Sequence, residues 1–130
     1  MKHYTNICSL LMVAFCGCAQ RPHPPAEFSE RLLTADNIVV TNDSLQAFSY
    51  SVSGEEVGSL AKAIAVARED VGFQYSSMYA WHVQFYAGTN LLGKIRLQGQ
   101  GFLIEDREYT DYSGVLKMFH QKLVSKEEGQ

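Results

Sequence analysis

His3, His23, His82 and His120 are the side chains best placed to move protons or bind a metal near neutral pH. Either task needs partners at workable spacing, such as a histidine pair one helical turn apart or a Ser-His-Asp set. No two of these histidines stand close enough in the chain to form such a pair. His23 lies between prolines and reads as solvated. His82 is predicted on the polar face of a strand beside Arg96, and His120 on the outside of the last helix. Acidic residues cluster at Glu105-Asp106-Arg107-Glu108, with Asp111 close behind. Paired carboxylates can do acid–base work or hold calcium. Here Arg107 interrupts them and the D-x-D-x-D-G order is missing, so a solvated turn is the expectation.

The remaining chemistry-bearing types give no stronger signal. Ser53, Ser76, Ser77 and Ser113 lie in no G-x-S-x-G elbow. Gly99-Gln100-Gly101 is too short to cradle a phosphate. No catalytic residue, metal ligand or cofactor is therefore assigned. Tyr and Trp are enriched at interaction surfaces. Tyr75 and Tyr79, with His82 and Arg96, are accordingly the candidate ligand- or partner-binding residues, while Trp81 and Phe85 read as core.

All three cysteines, Cys8, Cys16 and Cys18, fall at the N-terminus. Lys2 precedes a short apolar run, Ile7 to Phe15, which is well under the roughly 20 residues needed to span a bilayer. A basic start, a short apolar stretch and small residues are the parts of a secretory signal peptide. Phe15-Cys16-Gly17-Cys18-Ala19 resembles the lipobox of bacterial lipoprotein precursors, departing from the usual pattern at Phe15 and Cys16. The resemblance covers the first twenty residues and places the lipidated cysteine at Cys18. Cys16 as acceptor would set bulky Phe15 at the cut. The resemblance implies a diacylglyceryl thioether on Cys18, usually with an N-acyl chain. Two or three acyl chains suffice for stable anchoring. Ala19 after the cysteine implies the outer membrane over the inner in enteric-type bacteria. Cleavage after Gly17 or Ala19 without lipid, giving a freely secreted protein, is the alternative.

Residues 1–17 are thus expected as signal peptide and 18–26 as lipidated cysteine and Pro-rich tether. Residues 27–130 are expected as one domain, because the three prolines all precede Glu27 and no cysteine follows Cys18. Such a tether is stiff, at about 3.1 Å per residue, and would hold the domain up to about 25 Å from the membrane. The domain then has no internal disulfide and depends on its apolar core.

Periodicity supplies the elements. Glu27–Leu33 reads as a short helix, Ala35–Thr41 and Ala47–Val52 as strands, and Asn42-Asp43-Ser44 as a turn. Ser53-Gly54-Glu55-Glu56 has capping-box spacing before a helix with Val57, Leu60, Ala61, Ile64 and Ala67 on its buried stripe. Phe73, Tyr75, Tyr79, Trp81, Val83 and Phe85 share one parity, which predicts a strand from Tyr79 to Ala87 after a bend at Ser76-Ser77. A three-residue loop, Gly88-Thr89-Asn90, would then pair Phe85 with Gly93, Gln84 with Lys94, Val83 with Ile95, His82 with Arg96 and Trp81 with Leu97. Phe102–Ile104 and Arg107–Tyr109 read as short strands. A last helix opens at Ser113-Gly114-Val115, with Val115, Leu116, Phe119 and Leu123 inward and residues 125–130 frayed.

The expected fold is α+β, an antiparallel sheet of about five strands with two main helices on one face. The chain has 130 residues, 46% apolar and 19% charged, which fits one globular domain and excludes a multi-span membrane protein or a disordered chain. A net charge of −3 with scattered basic residues excludes a nucleic-acid footprint. Two functions fit. One is an envelope lipoprotein that binds an envelope protein or cell-wall component without catalysis. The other is a small lipid-anchored hydrolase using His82 or the Glu105/Glu108 pair.

Overall fold

Period-two patterning becomes a sheet, and period-3.6 patterning becomes its cover. A computed structural model describes residues 21–42, 49–70 and 80–129. Its elements are α1 (Ala26–Leu33), β1 (Asn37–Asn42), β2 (Ser49–Ser53), α2 (Glu55–Val66), β3 (Arg68–Glu69), β4 (Trp81–Ala87), β5 (Asn90–Gln98), β6 (Gly101–Ile104), β7 (Arg107–Thr110) and α3 (Val115–Glu128). The strands form one sheet in the order β2-β1-β4-β5-β6-β7-β3, every pair antiparallel. The class is α+β. Among the described residues seven strands replace the expected five or so, and a third helix, α1, contributes to the core alongside the two main ones. No helix among the described residues is long and apolar enough to cross a membrane.

One face of the sheet is buried through Ile38, Val40, Val52, Trp81, Val83, Phe85, Ile95, Leu97, Phe102 and Tyr109. The helices cover it with Phe28 and Leu32 from α1, with Val57, Leu60, Ala61 and Ile64 from α2, and with Leu116, Phe119 and Leu123 from α3. Burying a side chain of this size stabilises by roughly 1.5–3 kcal/mol.

The β4–β5 hairpin fixes the register that the site depends on. Phe85, Gln84, Val83, His82 and Trp81 face Gly93, Lys94, Ile95, Arg96 and Leu97, as the apolar and polar matching requires. The loop differs from the expected one. Ala87 pairs with Asn90 across a two-residue turn, Tyr86 pairs with Leu91, and the register shifts between Phe85 and Tyr86. A bulge at Leu92 absorbs the extra residue and returns the alternation to phase. Gly88 supplies the turn's positive φ of 60°. The Asp36 carboxylate accepts the Gly88 N–H at 3.1 Å. That bond and a stronger one from Asn37 hold its pKa below the usual value.

Gly93 is where α1 meets the sheet. A Cβ there would lie 2.8 Å from Phe28 Cε2 and 3.1 Å from Leu32 Cδ2. Helix and strand approach this closely only because the side chain is missing.

The start of α2 departs from expectation. Gly54, not Ser53, caps α2, with no side-chain cap. Ser53 remains in β2, and Glu56 pairs instead with Lys122 Nζ of α3 at 3.0 Å. α3 starts after its N-cap Gly114, as the sequence implies, and the Asp111 carboxylate ties down its first turn from outside the helix. This carboxylate accepts the Leu116 N–H at 2.9 Å on one oxygen, and the Ser113 N–H at 2.9 Å and hydroxyl at 2.5 Å on the other. Asp111 is fully buried, so it does not belong to a solvated acidic cluster. The far end of α3 does not fray at Ser125. Lys126 Nζ sits 4.4 Å from the Tyr50 ring centre, and Glu127 accepts from Asn42.

The described part of the Pro-rich segment, from Arg21 on, is seated on the domain. Arg21 pairs with Asp70 at 2.9 Å. The Pro22 carbonyl accepts the Glu69 N–H at 2.8 Å, the His23 ring lies 2.9 Å from the Ala67 carbonyl, and Pro24 is buried. His23 is therefore hydrogen-bonded to the domain and not simply solvated.

Candidate functional site

The helix-free face of the sheet carries the polar residues of the same strands. Cross-strand pairing aligns Thr41, His82, Arg96, Leu103 and Glu108 in one rung across β1, β4, β5, β6 and β7. His82 and Arg96 are direct partners at its centre, and Gln84 and Lys94 form the next pair along. Both His82 and Arg96 are half-buried.

Next to this rung the sheet has a step. β5 runs from Asn90 to Gln98, but β6 pairs with it only from Arg96 onward. Leu91 to Ile95 therefore have β4 on one side and no strand on the other among the described residues. Arg31 of α1 donates to the Leu92 carbonyl at 3.3 Å at this edge. A cavity of about 580 Å³ opens there, between the β5 edge, α1 and the tip of the β6–β7 hairpin. It is lined by His82, Lys94, Arg96 and Arg31, by Glu105 and Asp106, and by apolar side chains that include Phe28 and Leu103. That volume is within the range of small-ligand sites.

Glu105 forms the first half of the hairpin tip at φ 55°, the one non-glycine at positive φ among the described residues. Two-residue hairpins favour glycine, asparagine or aspartate at such positions. A glutamate there costs about 1–2 kcal/mol relative to an unstrained backbone. Strain held at the rim of a cavity is a pointer to use.

Of the sequence candidates, His82 and Arg96 come together, in register and on the same cavity. Tyr75, Tyr79 and Cys18 lie outside the described residues. Glu105 and Asp106 reach the cavity, whereas Glu108 does not line it. His120 is half-buried on α3, and burial pushes its pKa below the usual value, so it is not the exposed histidine expected. Arg31, Lys94 and Leu103 were not singled out by sequence. The uncovered stretch of β5 that gathers them follows from the unequal lengths of β5 and β6, which periodicity does not report. No group of three His, Cys, Asp or Glu that could hold a metal occurs among the described residues.

Compared with family models, curated proteins and solved structures, the chain matches none, so its site is read from its own residues.

Proposed function

We propose that the chain is a lipid-anchored protein of the bacterial cell envelope, held through Cys18, whose domain is a non-enzymatic interaction module. In a Gram-negative host the outer membrane is favoured by Ala19. The partner is an envelope protein or a cell-wall component. The observation that supports the interaction reading is the cavity beside the uncovered edge of β5, whose lining brings His82, Arg96, Lys94 and Arg31 together with Glu105 and Asp106. Charged groups of both signs beside apolar side chains suit recognition of a partner that is itself part polar and part apolar.

Two measurements test it. Intact mass of the membrane-purified protein should show a chain starting at Cys18 with added lipid, absent from Cys18→Ser. A photo-crosslinker at Lys94 should give a defined adduct in native membranes that a crosslinker at Lys62, on α2, does not give. Arg96→Glu should abolish it. Equal adducts from both positions would sink the cavity as the binding site.

A small anchored hydrolase is the second reading, favoured by His82 and Glu105 lining the same cavity. A hydrolase-substrate panel separates the two. Turnover that falls at least a hundredfold in both His82→Ala and Glu105→Gln would favour the enzyme.

A further inference from the structure

We infer that the β3 edge of the sheet lies directly against the lipid bilayer, so that the domain rests on the membrane instead of standing off it. The inference rests on lipidation of Cys18. Three residue steps separate Cys18 from Arg21. Extended chain covers at most about 3.6 Å per residue, so Arg21 lies within roughly 11 Å of the lipidated cysteine.

Arg21 is fixed to the domain. Its guanidinium pairs with Asp70 at 2.9 Å, and its carbonyl accepts from the Arg68 guanidinium at 3.0 Å. The next residues continue the attachment through the Pro22 carbonyl, the His23 ring and buried Pro24. A segment that composition reads as a spacer of about 25 Å is therefore shortened to the two residues between Cys18 and Arg21.

The surface at the exit point suits a bilayer. Tyr112 is 67% exposed and Val66 60% exposed. The Tyr112 hydroxyl donates to Asp70 Oδ2 at 3.2 Å, which sets its ring beside the Arg21 pair. Tyrosine, with an apolar body and a polar tip, is at home at the headgroup level. Charge is balanced here, Arg21 and Arg68 against Glu69 and Asp70. The short tether, not attraction to anionic lipid, holds this surface down.

The test uses the full chain with its own signal, made in a lipoprotein-processing host and reconstituted in phosphatidylcholine vesicles. Val66→Cys reports the β3 side. Ser51→Cys reports β2, six strand spacings or roughly 29 Å across the sheet. Both positions are exposed, so neither substitution disturbs the core. Each thiol carries a fluorophore, and a headgroup nitroxide is the quencher. Quenching at position 66 should exceed that at 51 at least threefold, with or without anionic lipid. Ten Gly/Ser residues inserted after Ala19 should bring the two within twofold. Equal quenching in the lipidated protein overturns the inference. Quenching at 66 that survives the insertion overturns the role given to the tether. An intact mass without lipid, read before any fluorescence, overturns the anchor itself.

Discussion

Asp111 organises the turn between β7 and α3. It satisfies the Leu116 and Ser113 N–H groups and the Ser113 hydroxyl from a fully buried position. Hydrogen bonds to a charged group contribute about 1.5–3 kcal/mol each, and deleting the acceptor leaves the buried Leu116 N–H unpaired, while the donors of exposed Ser113 can turn to water. Asp111→Ala should therefore lose about 2–4 kcal/mol in urea denaturation, and Asp111→Asn about half as much. Glu105 makes the opposite case. Glu105→Gly relieves the positive φ at the hairpin tip and should raise stability by about 0.5–1 kcal/mol, since added freedom in the unfolded chain offsets part of the gain. The same change removes a carboxylate from the cavity rim. If the cavity is the binding site, crosslinking at Lys94 weakens while the melting temperature rises, a combination that simple unfolding cannot produce. His120 adds a pH dependence. Burial lowers its pKa in the folded state, so the unfolded chain binds the proton more readily. The stabilising term is complete above the ordinary value of 6.5 and is lost as pH falls from there toward the lowered value. His120→Gln should flatten the melting-temperature profile over that window, which a pH series of thermal melts would show.

At the scale of elements, Gly93 joins α1 to the sheet. Gly93→Ala places a methyl 2.8 Å from Phe28, whose ring must move against a packed core. Overpacking of this kind costs about 1–3 kcal/mol, and hydrogen exchange should speed up first in α1. The helix stripes and the β4–β5 register were legible because each follows from repetition: five cross-strand pairs agree with one alternation. What repetition does not carry was lost. The Leu92 bulge changes the loop length without changing the phase, so a three-residue loop and a two-residue turn with a bulge predict the same inner pairs. β3 has two residues, too few to show a period. Asp111 looked like one more acid in an acidic run, because burial depends on where the chain folds back and not on its neighbours in sequence. For the site, His82 and Arg96 were legible as a pair, while the cavity beside them was not. It arises where β6 stops short along β5, a property of two strands that neither sequence segment contains alone.

At the scale of the molecule, an open sheet has two edges to protect, because each presents unpaired backbone groups to any passing strand. Among the described residues β2 is one edge and β3 the other. Just past β3 the Asp70 N–H turns toward β7, where it bonds the Glu108 carbonyl at 2.9 Å, while the Glu69 N–H of β3 turns outward. The outward N–H meets the Pro22 carbonyl. A proline accepts here but has no N–H with which to extend the ladder, so the segment covers the edge and ends the sheet in one step. A chain beginning at Pro25 would lack the Arg21–Asp70 pair, the Arg21, Pro22 and His23 hydrogen bonds and buried Pro24, while keeping every helix with its cap and every strand. Compared with a chain beginning at Gln20, it should lose about 1–3 kcal/mol, the part of these hydrogen bonds, the exposed ion pair and the buried ring that survives the entropy of ordering the segment. It should also associate at lower concentration, since the β3 edge is then bare. Urea midpoints and sedimentation equilibrium on the two chains check both parts. Equal stability and equal association would mean that Arg21 to Pro24 lie on the domain without holding to it. The Pro-rich segment would then act as the free spacer that its composition suggests.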